Sequence, residues 1–503
     1  MKRENTKIFF ILSFLFAVLL VVAPWLSESL MARPGGGQSY SGGSSGSGSG
    51  GGDGIVELIF WIILQLPPEI SIPLVIIILV VRFLMKRSQK RAAQKISSTP
   101  TFTNVSQHLK QVDNILEAIP NYDANFSRVV FVDFISALYH KLYNTLGTKE
   151  LSNIFPFFSE QEVLKLKSPE FQDRKYTEIV IGNIQISDVK FTNTYLFITL
   201  DIDSNYTLNH KDRSTRYILT ERWLLMRGIQ VVSPEPEKMR TISCPSCGAA
   251  ANFNDAGRCN YCNTFIHVGQ MQWMVKMRSI IKQETMKTIQ AGTYTEEVGT
   301  GSPTLVQAGL QKNKTIFAQR NNLEWNSYWE YFSKNVVTTY LLNIFQSWSV
   351  NKLFEVRHLL SDRLFESYNF WQTLYKEQKL INRLENINVR RVELVKIESD
   401  KFYETITVRV FVSGLDYIEN KEGKLIGGSK KKNREFSEYW TFMRRSGKEL
   451  KEETLNLKNC PNCGAPADNM GQAAECGYCG AKISNGDFSW VLTAIAQDEV
   501  YRG

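Results

Sequence analysis

Histidine is scarce in this 503-residue chain: only His108, His140, His210, His267 and His358 occur, and no two lie at helical or strand-neighbour spacing. That argues against an enzyme built on a histidine-rich metal centre. Cysteine is equally sparse, and eight residues are too few for a small disulfide-stapled secreted fold. At 43% hydrophobic, 12% aromatic and 22% charged, the bulk composition is globular, which excludes both a disordered tail and a multi-span transporter. The length allows about three domains. The formal net charge is +9, but residues 1–95 hold ten cations against five acids, so +5 sits there and +4 is spread over the other 408 residues. A nucleic-acid binder would concentrate its excess on a folded domain; this placement favours lipid headgroups.

Lys2, Arg3 and Lys7 precede an uninterrupted apolar run from Ile8 to Leu26, a signal peptide or an uncleaved first anchor spanning 1–32. Residues 33–54 form a flexible Gly/Ser-rich linker with eleven glycines between Gly35 and Gly54. A second apolar region is split at Pro67 and Pro68, and its part Ile70–Met85 gives about 24 Å of helix at ~1.5 Å per residue. It is expected to enter the bilayer, with Arg82 snorkelling. The flank carries Arg82, Lys86, Arg87, Lys90, Arg91 and Lys95, with no acid between Glu69 and Asp113. By the positive-inside rule it faces the cytoplasm and meets anionic headgroups, and residues 96–503 follow it there.

The chain also repeats itself. TERWLLMRG at 220–228 reappears within SEYWTFMRRSG at 437–447, so Trp223, Met226 and Arg227 match Trp440, Met443 and Arg444 at an offset of 217; Trp273 matches Trp490 likewise. DVKF at 188–191 matches LVKI at 394–397 at an offset of 206, and FFSEQ at 157–161 resembles LLSDR at 359–363. Each unit reads as amphipathic helices followed by alternating antiparallel strands, with a helix start at Ser361 and Asp362. The fold expected is α+β, with helices on one face of an antiparallel sheet, repeated twice. The matched tryptophans read as core. The matched acids Glu221 and Glu438 read as outward-facing strand carboxylates, paired with Arg222 or another cation, with a pocket acid as the alternative. The extra hairpin of the second copy brings Lys424, Lys430, Lys431, Lys432 and Arg434, a solvated loop or a membrane contact.

Each unit ends in cysteines. Cys244, Cys247, Cys259 and Cys262 form two CxxC pairs eleven residues apart; Cys460, Cys463, Cys476 and Cys479 repeat this with twelve between, leaving no cysteine over. Two such pairs can converge four thiolates on one tetrahedral zinc, and Gly248, Gly464, Gly477 and Gly480 let the backbone turn around it. An oxidising compartment would be needed for disulfides, a lone redox CxxC would not recur in this way, and an iron–sulfur cluster is the remaining alternative. Two structural zinc ribbons are expected, each closed and non-catalytic.

The apolar leader, RPGGGQSYSGG, the Pro-split membrane segment and the helical-then-strand unit resemble bacterial membrane proteins with a Tim44-like domain, a family named for the mitochondrial inner-membrane tether of the import motor. The resemblance is clearest around IFQSWSVNKLFEVRHLLSDRLFESY, where Trp348 has no counterpart in the first copy. It implies cone-like, nuclear-transport-factor-2-like domains with an apolar pocket between helices and sheet, associated with lipid and protein partners at an inner membrane. The zinc ribbons depart from the mitochondrial relative, and its chaperone-recruiting region has no counterpart.

The domain reading is therefore 96–240 for the first Tim44-like copy, 241–268 for ribbon 1 and 269–320 for a connecting helix and linker. The second copy follows at 321–456, ribbon 2 at 457–485 and a C-terminal helix at 486–503. The function expected is a membrane-anchored, non-enzymatic scaffold binding lipid and an unidentified protein. An enzyme or small-ligand binder using the cone pocket is the alternative, although no catalytic constellation is duplicated. Nucleic-acid binding by the ribbons is a weaker second: Arg258 is the only cation between Cys247 and Cys259, and none lies between Cys463 and Cys476.

Overall fold

The computed structural model describes residues 112–503 apart from 113–114, 240–241, 255–256, 267–268, 270–271, 287–298, 449–456, 468–469, 471–472, 499–500 and 502. The apolar leader, the Gly/Ser linker, the second apolar region and the cations Arg82, Lys86, Arg87, Lys90, Arg91 and Lys95 lie outside the described residues. Among the described residues, no helix is long and apolar enough to cross a membrane.

Ser127 caps helix α1 (Arg128–Thr145), its hydroxyl accepting from Val130 N, and the spacing of Phe131, Phe134, Ile135, Leu138 and Leu142 gives the helix one fully buried stripe. A 3₁₀ stretch, Lys149–Phe157, leads to α2 (Glu160–Leu166), capped by Ser159. Four antiparallel strands follow in sequential order, β1 (Arg174–Phe191), β2 (Tyr195–His210), β3 (Arg213–Gly228) and β4 (Met274–Thr285). The second half opens with α3 (Leu310–Arg320) and α4 (Trp325–Tyr331). A π-helical turn, Phe332–Val337, joins α4 to α5 (Thr338–Ser349), and α6 (Asp362–Glu377) is capped by Ser361 as its sequence indicates. Its sheet is β5 (Leu380–Ser399), β6 (Tyr403–Asn420), β8 (Arg434–Arg445) and β9 (Val491–Gln497), with short β7 (Leu425–Gly428) beside β6. The architecture is α+β with antiparallel sheets.

One expected helix is a strand: the C-terminal helix at 486–503 gives way to β9. The span 269–320, read as a connecting helix and linker, holds strand β4 ahead of its helix α3. Strands β4 and β9 are each the last strand of their sheet in chain order, so each cysteine-rich segment lies between the last two strands of a sheet. The edge of β3 or β8 offers a full ladder of backbone partners, and that long-range pairing outweighs the weak local helical preference of these short segments. Helix does form at Leu310–Arg320, where Phe317 enters the second core.

The two halves share irregularities. Register shifts in β1 at Thr177/Val180, Ile181/Asn183 and Ile186/Asp188 recur in β5 at Glu385/Asn388, Val389/Arg391 and Leu394/Lys396, each 208 residues later (385 minus 177). The 206-residue match of DVKF with LVKI is thus two residues out of register. The shift at Leu224/Leu225 recurs at Thr441/Phe442, 217 later (441 minus 224). The parallel bridge Phe158–Val275 recurs as Leu360–Leu492. Arg227 lies over Trp273 at 4.5 Å and Arg444 over Trp490 at 5.0 Å.

Trp223 and Trp440 are fully buried in the two cores, as expected. Each removes on the order of 200 Å² from water, ~5 kcal/mol at ~25 cal/mol per Å². The halves are packed together: Phe402, Tyr403, Met443 and Val491 of the second join the first core. Arg128 pairs with Glu398 at 3.0 Å, and Arg216 lies over Phe370 at 3.9 Å.

Candidate metal centres

Each CxxC pair sits on a tight turn. Gly248 N donates to Cys244 O and Gly464 N to Cys460 O, both at 2.8 Å, with φ of +76° at each glycine. In the second pairs, Asn263 (φ +58°) and Gly480 (φ +68°) take the same role. A left-handed residue after each pair folds the chain back so that both sulfurs face inward, which explains Gly248, Gly464 and Gly480. Gly477 is not left-handed.

The turns bring the expected eight cysteines into two sets of four, with the sulfurs of each set all within 4.8 Å of one another. Cys244 and Cys262 are 3.8 Å apart, Cys247 and Cys259 3.9 Å; Cys460–Cys479 and Cys463–Cys476 are both 3.8 Å. A disulfide requires ~2.05 Å. A tetrahedral ion with metal–sulfur bonds of ~2.3 Å requires sulfurs ~3.8 Å apart, so both donor sets fit zinc. Sulfurs this close converge on one ion, not on the separate irons of a cluster. Donors already point at the sulfurs: Tyr261 N to Cys259 Sγ and Asn462 Nδ2 to Cys479 Sγ, both at 3.4 Å. The Thr264 side chain and backbone N–H hold the Cys262 thiol down at about 6, and Asn462 with the Ala481 N–H does the same for Cys479. Those thiols are poised to ligate as thiolates.

The first cysteine site is joined to the first core, where Cys244, Cys259, Phe253 and Ile266 are buried and Phe253 meets Phe157 edge-on at 6.3 Å. The second has a small core of its own, Cys460, Cys476 and Ile483, and its Lys482 pairs with Asp362 at the start of α6. Arg258 is committed internally, donating to Asn263 O at 3.1 Å and lying over Phe265, which leaves little for a phosphate.

The reading of Glu221 and Glu438 as outward-facing is wrong. Both are 1% exposed. Glu221 accepts from Tyr139 Oη at 2.9 Å, from Tyr143 Oη and from Trp223 Nε1 at 3.0 Å, with Arg278 Nη1 at 3.6 Å; Glu438 accepts from Trp440 Nε1 at 3.0 Å. Arg222 instead pairs with Asp201 at 2.7 Å. Alternation puts residues 221 and 223 on one face, so the buried tryptophan was the available signal; the tyrosines of α1 supply the donors that make burial of the acid tolerable. Burial, then the Glu221 charge, pushes the Tyr139 and Tyr143 hydroxyls well above their ordinary range. Sequence reasoning also missed Asp123, which pairs with buried Arg227 at 2.7 Å, and Glu404, which pairs with Arg444 at 2.7 Å.

Among the five hairpin cations, Arg434 is buried on Asp416 at 2.9 Å and Lys430 pairs with Glu419 at 2.7 Å, while Lys424, Lys431 and Lys432 are exposed. Between helices and sheet, where the resemblance implies an apolar pocket, rings pack on one another, Tyr139 on Trp223 at 5.6 Å and Phe345 on Trp440 at 6.0 Å. A cavity of about 810 Å³ opens between the halves, lined by Val132, Ser136 and His140 of α1, Glu366 of α6, and Thr405 and Thr441 of the second sheet. His140 Nε2 and Glu366 face each other there at 3.6 Å.

No curated protein matches the chain. A solved "Ntf2 like protein involved in plasmid conjugation" aligns at 7% identity over 73% of this chain and 94% of its own, with a TM-score of 0.18, and no inference rests on it. Residues 330–454, from α4 through β8, match the Tim44-like domain.

Proposed function

We propose that this protein is a membrane-anchored, non-enzymatic scaffold in which two copies of a Tim44-like unit, each with a structural zinc ribbon inserted before its last strand, are held at the cytoplasmic face of a bacterial inner membrane to bind a protein partner. The observation that carries the reading is the Tim44-like match over 330–454, a family associated with protein and membrane interactions. Recurrence of the β1 shifts in β5 supports duplication, and the four-sulfur cages favour zinc that braces a fold, since a four-thiolate site has no open position for chemistry. Arg82, Lys86, Arg87, Lys90, Arg91 and Lys95 would meet anionic lipid, with Lys424, Lys431 and Lys432 adding weaker attraction if the second half approaches the surface. The copies are best bounded as 96–285 and 299–497, because β4 and β9 complete the sheets.

The test is affinity capture of the full chain from detergent-solubilised membranes. A stable protein partner, lost when surface residues of 330–454 are changed but retained when Glu221 is changed, supports the scaffold. Recovery of the chain in the soluble fraction without a partner counts against it. A second reading has its own observation in the 810 Å³ cavity between the halves, which is within the range of ligand sites.

A further inference from the structure

The two sheets differ in what covers the face turned away from their buried tryptophans. In the second half, residues 302–307 cross that face as a strap. Arg409 Nη1 donates to Ser302 O at 2.8 Å and to Thr304 Oγ1 at 3.0 Å; Leu305 N donates to Tyr439 Oη at 3.1 Å, and Gln307 N to Val395 O at 3.0 Å. Beneath the strap Arg409 is 1% exposed and Tyr439 3%. The chain then enters α3 and delivers Phe317 to the core.

In the first half the positions of Arg409 and Tyr439 belong to Asp201 (409 minus 208) and Arg222 (439 minus 217), which face each other across β2 and β3 just as Arg409 and Tyr439 do across β6 and β8. The Arg222 side chain is 48% exposed, and on the same face Met277 is 48% exposed, with Phe197 and Leu224 partly so. Among the described residues, helix α6 covers the far end of this face, where Phe370 meets Arg216.

A strap sequence is present upstream. Thr99-Pro100-Thr101-Phe102 parallels Ser302-Pro303-Thr304-Leu305 at an offset of 203, and Ile115-Leu116 parallels Ile316-Phe317 at an offset of 201. Leu116 is buried in the first core as Phe317 is in the second. We infer that Thr99–Phe102 is the occupant of the exposed face of the first sheet, lying across Asp201 and Arg222 with Phe102 over Leu224 and Met277. The chemistry fits at both ends. Arg222 engages Asp201 through Nε and Nη2, and its remaining N–H groups can take a strap carbonyl as Arg409 takes that of Ser302. The ten residues from Phe102 to Val112 reach up to ~35 Å, and the second strap spans the corresponding path with eight, from Leu305 to Asn313. Only residues 96–98 separate the strap from Lys95, so the strap would also hold the first sheet within ~14 Å of the last basic flank residue. That consequence rests on the proposed anchoring; the strap itself does not.

The test uses the full chain in detergent micelles with a benzophenone amino acid at position 102. Intramolecular crosslinks to β2, β3 or β4, unchanged on tenfold dilution, are expected. Crosslinks into the second half, or between chains, overturn the inference and would identify a different occupant or a second copy. In parallel, Phe102→Asp should raise the rate of Met277 oxidation by peroxide several-fold while that of buried Met443 stays constant; equal Met277 rates in both proteins also overturn it. Extraction of the same chain from membranes by alkaline carbonate reports on anchoring alone, so the two ideas can fail separately.

Discussion

Replacing Glu221 by glutamine removes one charge from a site that the structure has filled with donors. One carboxylate oxygen takes both tyrosine hydroxyls, Tyr139 at 2.9 Å and Tyr143; the other takes the Trp223 indole at 3.0 Å and faces Arg278 at 3.6 Å. A glutamine has one acceptor oxygen, so its amide nitrogen must face either the two hydroxyls or the indole and guanidinium. Tyr139 has a second partner in Ser204 Oγ at 2.6 Å and can adapt, which points the amide nitrogen toward the tyrosines. Each charge-assisted bond lost is worth ~1.5–3 kcal/mol, and removing one member of a buried ionic cluster costs ~3–5 kcal/mol in total because the terms overlap. A chain with two packed halves is a poor candidate for global two-state unfolding, so the assay is hydrogen exchange of peptides covering Tyr217–Gly228 and Met274–Thr285. A cost of ~3–5 kcal/mol speeds exchange of these strands by about two to four orders of magnitude. Tyr143→Phe, which deletes one donor and leaves the acid its others, should cost ~1.5–3 kcal/mol, less than Glu221→Gln. Arg222→Ala, removing a half-exposed pair, should change exchange of the sheet by less than about tenfold. An effect of Glu221→Gln no larger than that of Arg222→Ala would refute the reasoning that this acid organises the first core.

Two further predictions follow from the cysteine cages and the buried tyrosines. The purified chain should contain two zinc ions, and Cys244→Ser or Cys460→Ser should each remove one; structural zinc supplies on the order of 10–16 kcal/mol in small peptide sites, so chelation should unfold the ribbons, and stoichiometric iron would exclude the zinc assignment. Tyr139 and Tyr143 have folded-state values raised by burial above the unfolded value of ~10. Their contribution is therefore intact below pH ~10 and is lost as pH climbs beyond it toward the folded values. Near-ultraviolet circular dichroism should stay constant from pH 8 to 9.5 and collapse above 10, less steeply in the Tyr139→Phe and Tyr143→Phe variants; loss beginning near pH 8 would assign the transition to another group.

What the sequence determined by itself is local or self-similar. The cysteine spacing needs only a turn of a few residues to close four sulfurs on one point, so Cys244–Cys262 and Cys460–Cys479 were readable without a fold. Ser361 as a cap and the alternation of β2 and β6 are equally short-range. Comparison of the two halves located the matched tryptophans and arginines, because similar packing problems keep similar large residues at the same spacing. The tertiary structure decided what depends on a partner far away in the chain. VKMRSIIKQET and VLTAIAQ are too short and mixed to declare themselves strands; they are strands because β3 and β8, nearly fifty residues earlier, leave an edge to be completed. Glu221 looked like a surface acid because charge alone favours water. Its burial follows from two tyrosines on α1, about eighty residues upstream, whose hydroxyls replace that water. Local spacing fixes geometry within a turn or a strand, whereas the environment of a buried charge is set by whichever side chains the fold brings to it.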